Sequence, residues 1–433
     1  MVYSISTLIQ NMSLINLSKN YMYHLNKTKI SVLICLLIYL FSSKVFSQKL
    51  SMDEVVRVAI ENNQEIKAAK LNIEKEEAVK LKSFDLPRPE LFIEYEGVKG
   101  SLKNFESRKI GIRQELEFPT SYFLRSDVQG SQVDIAKQEL NKLAYNIKYE
   151  VENAYLKLLL NYKLFEIAKE NLKIYNDFLF VAERKYDAGS TLNLEVLGAK
   201  VNKIKFENQI KNLESEIVVA KSELRKLMNV TYFDIEPTDE LSFKSLMLSK
   251  DEIMRVALSN NPDLKIINFQ KEKFSNKVSL SKSELFPNLS VKYYRQKIAN
   301  DAGFWGIEFG LGIPLWFWWE QTGNIKEANY ELKIATSQEI SIKRSVENDV
   351  NQTYEEYENG LRQMQFFHDE AIPEANEILR QAKISYEEGA IGYVEYLQTL
   401  QIVYETRTQY LNAIYNYNSS INKLEKITAG DIK

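Results

Sequence analysis

Histidine, the side chain best suited to moving a proton or holding a metal near neutral pH, occurs only at His24 and His368 in 433 residues, and cysteine only at Cys35. There is no phosphate-binding glycine loop, no nucleophile paired with a base, and no set of convergent donors of the kind a metal site requires. His368 falls in a row of apolar heptad positions, where packing accounts for it, and Met364 belongs to the same row. These absences point away from an enzyme, a resident metal and a cofactor. What remains chemically notable is a pair of carboxylates in matching phrases. Tyr186-Asp187-Ala-Gly189 followed by Glu195 and Leu197 recurs as Tyr386-Glu387-Glu-Gly389 followed by Glu395 and Leu397.

That recurrence extends through the chain. Leu50 to Asn63 reads against Leu248 to Asn261 at a constant offset of 198, and the same offset pairs Pro89, Leu91, Ile93 and Tyr95 with Pro287, Leu289, Val291 and Tyr293. A slightly shorter offset pairs Gly111-Ile112 and Pro119 with Gly306-Ile307 and Pro314. Each half therefore has one predicted order: helix, two strands, long helix, tight turn, helix. The expected boundaries are a leader over 1–47, a first repeat over 48–229, a linker over 230–248, a second repeat over 249–428 and a short tail over 429–433. The strands are expected at about 89–97, 107–118, 288–298 and 304–315.

The strands alternate. Ile110, Ile112, Leu116 and Phe118 interleave with Lys109, Arg113, Glu115 and Glu117, and Trp305, Ile307, Phe309, Leu311, Ile313 and Leu315 with Glu308 and three glycines. One apolar and one polar face over roughly 10 to 12 residues suits the wall of a membrane barrel with a polar lumen. Trp316, Phe317, Trp318 and Trp319 follow at once, where the chain would leave the hydrocarbon, and read as an interface girdle. The competing reading is a soluble sandwich with a buried aromatic cluster.

Between the strands no proline occurs from about Tyr122 to Lys185, which predicts roughly 95 Å of helix at 1.5 Å per residue. Its apolar positions step by four and three, from Ile147, Val151, Ala154 and Leu158 through Phe165, Ala168 and Leu172 to Tyr186. The second half continues the rule through Val350, Tyr354, Tyr357, Leu361, Met364, His368, Ala371, Ala375, Ile378 and Ala382. A 3.5-residue period means left-handed coiled-coil packing.

At the start of the chain, Lys27 and Lys29 precede the apolar run Ile30 to Phe41, and Val45-Phe46-Ser47 forms a cleavage pattern, so export with a mature terminus near Gln48 is expected. An uncleaved anchor would need about 20 apolar residues, and this run is shorter. Ile34 before Cys35 does not suit lipidation. The formal charge is -3, and the leader holds Lys19, Lys27, Lys29 and Lys44 with no acids, leaving -3 - 4 = -7 and no invitation to nucleic acid. Four strands per chain cannot close a barrel although lipid demands that every backbone group be paired, so several copies must close it together.

The duplicated order, with Ala371-Ile-Pro-Glu-Ala-Asn, Tyr386-Glu-Glu-Gly389 and Val394-Glu-Tyr-Leu397, resembles the TolC-type outer-membrane efflux proteins over essentially Leu50 to Thr428. The resemblance implies a homotrimer with a 12-stranded barrel in outer-membrane lipid, a coiled-coil tunnel in the periplasm, and docking to a periplasmic adaptor and an inner-membrane pump of the RND type. It implies passive conduction, with drug efflux or type I protein secretion as alternative duties; a secreted coiled-coil scaffold or adhesin is the alternative of another class. It gives Glu395 the role of a gate carboxylate, with Glu195 matching in position, and Gln398 and Gly198 where a second acid would be expected. The tips Tyr186, Asp187, Gly189 and Tyr386, Glu387, Gly389 become adaptor contacts, with helix capping the plainer role for both glycines. Glu117-Phe-Pro119 and Ile313 to Ile325 look like the branch serving heavy-metal cation efflux, although Thr322 interrupts Gln321 and Gly323.

Overall fold

Both repeats open on the same cap. Ser51 and Ser249 each accept from the backbone N–H three residues on, and Glu54 and Glu252 each accept from the cap N–H, starting helices α1 (Met52–Asn62) and, in the second repeat, Lys250–Asn260. In this computed structural model the described residues are 47–101, 105–231, 234–243, 246, 248–299, 301–313, 318–430 and 432. The expected leader, with His24 and Cys35, lies outside them except for Ser47.

Two units are distinguished. In the smaller, which takes in Lys49 and 231–236, strand β1 (Ser47–Leu50) pairs with a strand at Asp234–Pro237, so the segment expected as a plain linker carries a strand.

The larger unit holds both repeats. In the first, α1 is followed by α2 (Gln64–Leu81), β2 (Glu90–Glu96), β3 (Ser107–Leu116), α3 (Pro119–Asp187) and α4 (Asn193–Leu227). After β4 (Asp234–Pro237), the second runs α5 (Lys250–Asn260), α6 (Pro262–Ser283), β5 (Asn288–Ile298), β6 (Asp301–Gly312), α7 (Trp318–Phe366), α8 (Ile372–Glu387) and α9 (Tyr393–Thr428). Helix α3 has 69 residues, about 104 Å at 1.5 Å per residue. The expected order holds in both halves. The third strand has its expected bounds, the second ends two residues early, and the fourth starts three early and ends at Gly312. Phe118 leaves the strand to cap α3, its ring stacked on Phe286 at 4.6 Å.

One difference separates the halves. Between α7 and α8 the helix widens into a π turn, Phe367–Ala371, just before Pro373. Before it, buried positions repeat at 199, as in Ile147 and Val346 or Val151 and Val350; after it they repeat at 200, as in Ala182 and Ala382 or Leu224 and Leu424. The π turn holds the extra residue. Two positions of the expected seam depart from it: His368 is exposed, 2.7 Å from Asp369, and Ile378 is exposed, while Val350, Tyr357, Met364, Ala375 and Ala382 are buried. Within the short tail, Ile432 is buried with Ile253, Val350 and Leu424.

Candidate functional site

The first part of the site is the four-stranded antiparallel sheet, in the order β2-β3-β5-β6. Its pairing puts Leu91 beside Ile112, Ile112 beside Tyr293, and Tyr293 beside Ile307, so these side chains share one face with Ile93, Ile110, Phe309 and Leu311. All these residues are exposed. Such a contiguous apolar surface on one side of a sheet is a lipid-facing pattern.

The other face carries cross-strand ion pairs. Lys109 meets Glu96 at 2.6 Å, Arg113 meets Glu90 at 3.4 Å and Lys292 meets Glu308 at 2.8 Å. Their partners stand opposite or diagonal in the ladder, so pleat and register alone produce the pairing. Strands β2 and β6 are the sheet's edges. Of the expected girdle, Trp316 and Phe317 lie outside the described residues, and Trp318 and Trp319 already belong to α7, with Trp319 exposed.

The second part lies at the turns between α3 and α4 and between α8 and α9. Gly189 has φ +69° and Gly389 +75°, the left-handed region open to glycine. Each follows a helix in a Schellman arrangement. Gly189 N–H donates to the Tyr186 carbonyl at 2.8 Å and Ser190 N–H to that of Lys185 at 2.8 Å, and in the second repeat Gly389 donates to Tyr386 at 3.2 Å and Ala390 to Ser385 at 2.7 Å. A Cβ at either glycine would meet nothing within 4 Å. Tyr186, Asp187 and Glu387 are exposed there, but Tyr386 turns inward and stacks on Tyr396 at 4.9 Å.

The predicted gate carboxylates take different positions. Glu395 is exposed and accepts from Gly392 N–H at 2.6 Å, holding the first turn of α9. Glu195 is half-buried between the hairpins. Burial pushes the Tyr386 hydroxyl up to about 12, and the nearby Glu195 charge adds to that shift, as it does at Tyr393.

The sequence reading missed what joins the hairpins. Phe178 of α3 stacks on Tyr393 of α9 at 4.8 Å, and Phe206 of α4 meets Tyr404 of α9 edge-on at 5.1 Å. Gly198 has no side chain because Tyr393 lies across it: a Cβ there would stand 2.6 Å from the tyrosine oxygen. This explains the position where an acid was expected. The available signal was the tyrosine count, 25 in the chain, with several on helical seams. A cavity of about 530 Å³ opens beside this cluster, lined by Phe178, Lys185, Lys383, Tyr386, Glu387 and Tyr396.

Among the described residues no helix is long and apolar enough to cross a membrane, and no group of three or more His, Cys, Asp or Glu is placed to hold a metal. A sheet with one lipid-type face and one charged face, continued by paired helices far longer than the sheet, defines a membrane channel rather than a catalyst. The model of the outer membrane efflux protein family matches residues 55–230 and 253–430. The chain belongs to that family, and so is a passive conduit of the outer membrane with its helices in the periplasm.

Among relatives, a probable outer membrane lipoprotein of Salmonella typhimurium, SilC, is 21% identical over 410 residues, covering 87% of this chain and 85% of the relative. Among solved structures, CusC superposes with a TM-score of 0.72 at 17% identity, covering 90% of this chain and 94% of that one. The outer membrane channel MtrE of Neisseria gonorrhoeae gives 0.70 at 15%, covering 90% and 94%. VceC of Vibrio cholerae gives 0.70 at 14%, covering 88% and 97%.

Proposed function

We propose that three copies close one 12-stranded barrel and that the channel serves a tripartite efflux system, receiving its cargo through a periplasmic adaptor from an RND-type inner-membrane pump. The observation that carries this is the four-stranded sheet with an apolar face and two edge strands, because lipid tolerates no open edge and four strands enclose no lumen. The cargo reading is heavy-metal cations, resting on Glu117-Phe-Pro119 and Ile313 to Ile325. The adaptor seats on the tips around Asp187, Gly189, Glu387 and Gly389, and the exposed Glu395 carboxylates, with Glu195 behind them, form a cation-favouring entrance. Trp316 to Trp319 anchor the barrel rim.

Outer-membrane fractions analysed with and without heating should contain a heat-sensitive oligomer whose protomers begin near Gln48. A soluble periplasmic monomer would defeat the barrel reading. Loss of heavy-metal resistance on deletion, restored by the intact gene, tests the cargo; unchanged resistance with a functional pump present would remove it.

A further inference from the structure

The charged face of the four-stranded sheet balances its own cations, with Lys109, Arg113 and Lys292 each meeting a glutamate across the ladder. The apolar face does not. Alternation puts Arg108 on that face two residues before Ile110, and Arg295 and Lys297 on it two and four residues after Tyr293. The acids of these strands, Glu90, Glu94, Glu96, Glu115, Asp301 and Glu308, all fall on the opposite face. Among the described residues, none of the three cations is held in an ion pair.

The three stand together. Arg108 and Lys297 are direct partners in the β3–β5 ladder, where Cα atoms lie about 4.5–5.5 Å apart. Arg295 is two residues from Lys297 on the same strand, about 7 Å away. Like charges directly opposite one another destabilise a sheet, so an anion is the piece that would make this arrangement favourable. Its surroundings are fixed. Gln296 donates to Ser107 Oγ at 2.8 Å on the charged face, and Ala299 N–H donates to the Glu106 carbonyl at 2.8 Å, tying the end of β5 to that of β3. Arg108 lies over the Phe105 ring at 5.8 Å, and Phe105 meets Tyr95 edge-on at 5.3 Å. Trp305 stands opposite Arg295 and is 66% exposed. At the repeat offsets the counterparts of Arg108, Arg295 and Lys297 are Gly303, Gly97 and Lys99. A packing rule shared by the two halves therefore does not account for the arginines.

Helix α3 leaves from the Leu116 end of β3, so the cations lie at the end of the sheet away from the periplasmic helices. From Leu116 to Arg108 is about 27 Å of strand. A tilt of about 40° shortens this to about 20 Å along the membrane normal, and the long Arg and Lys stems supply further reach toward water. Tyr95 and Trp305, at the same level, are the residue types of a membrane-interface girdle.

We infer that Arg108, Arg295 and Lys297 form a docking site, complete within one copy, for the phosphate of an anionic lipid headgroup in the outer leaflet. Guanidinium forks match phosphate oxygens two at a time, and the Lys297 ammonium adds a third charge. All three residues lie on the inner strands β3 and β5, so the site needs neither sheet edge. This rests on the reading of the sheet as a barrel wall in lipid, and adds to that reading a ligand of stated chemistry.

The test takes the full-length oligomer from outer-membrane fractions into detergent and counts bound lipid by native mass spectrometry. The probes are lipid A, a bis-phosphorylated glycolipid, and the same lipid stripped of its phosphates. The parent should bind lipid A at least tenfold more tightly than the stripped form, with the preference shrinking as salt rises. Arg108→Gln, Arg295→Gln and Lys297→Gln combined should remove the preference. Arg108→Lys with Arg295→Lys should retain part of it, and Lys292→Gln with Glu308→Gln, on the charged face, should leave it unchanged. Equal binding of both lipids by the parent overturns the inference, and that comparison needs no variant to fold. A preference that survives in the assembled triple variant overturns it too, since the phosphate is then held elsewhere. Displacement of lipid A by inorganic phosphate at equal concentration would mean a free-anion site and also counts against it. A negative result with the heat-sensitive oligomer present strikes this site and leaves the barrel standing; if the parent forms no oligomer, the barrel reading and this site fall together.

Discussion

Replacing Gly389 separates two explanations of the helix tip. With φ at +75° the residue sits where a side chain costs about 1–2 kcal/mol. Because a Cβ there meets nothing within 4 Å, no clash adds to that cost. Gly389→Ala should therefore loosen the Schellman closure by backbone strain alone. About 1.4 kcal/mol is a tenfold change in an equilibrium, so amide exchange at Gly389 and Ala390, whose N–H groups make the closing bonds, should rise about 5- to 30-fold. Gly389→Asn should rise less, since asparagine tolerates the left-handed region. Gly389→Trp tests the contact role, because it adds bulk in open space with strain like that of alanine. If the tip is only a helix cap, resistance in cells should follow exchange across all three variants. If an adaptor backbone closes on it, tryptophan should abolish resistance while its exchange matches alanine. Exchange in Gly389→Ala indistinguishable from that of the parent would refute the strain argument.

Other expectations are as direct. Tyr155→Phe removes a buried hydroxyl that donates to the Leu50 carbonyl at 2.8 Å, and should cost about 1–3 kcal/mol in denaturant unfolding of the solubilised protein; no change would mean that water replaces it. Ser51→Ala and Ser249→Ala should each cost about 0.5–2 kcal/mol, read as faster exchange in the first turns of α1 and α5. Glu54 and Glu252 are held below the usual carboxylate range by hydrogen bonds from Ser51 and Ser249. Their contribution is present above about pH 4.5 and lost as pH falls through the lowered values; Glu→Gln at both should flatten that acid limb. Glu395→Gln should reduce cation over anion selectivity in planar bilayers, and the same selectivity in both that variant and the Glu195, Glu395 double variant would remove these carboxylates from the gate.

The architecture was legible because period and repetition are written locally. Ser51 and Ser249, the alternation around Ile112 and Ile307, and the proline-free stretch of α3 each state their element within a few residues, and the repeat checks each one. What stayed hidden depends on neighbours distant in sequence. Gly198 looks like a missing acid until Tyr393, almost two hundred positions away, is found lying across it. His368 looks like a seam residue because a heptad count cannot register a turn with five residues instead of four. Tyr386 and Tyr186 occupy equivalent positions, yet only Tyr386 has Tyr396 to stack on.

The π turn also bears on how the gene changed. One codon gained inside a helix would ordinarily rotate every later side chain by about 100°, putting the apolar row of α8 into water. Confining the extra residue to Phe367–Ala371 leaves Ala375 and Ala382 buried, so the rest of the hairpin kept its ancestral partners. The step from an offset of 199 to one of 200 has thus been absorbed at one turn. Removing a single codon there should be tolerated better than removing one anywhere else in α7 or α8.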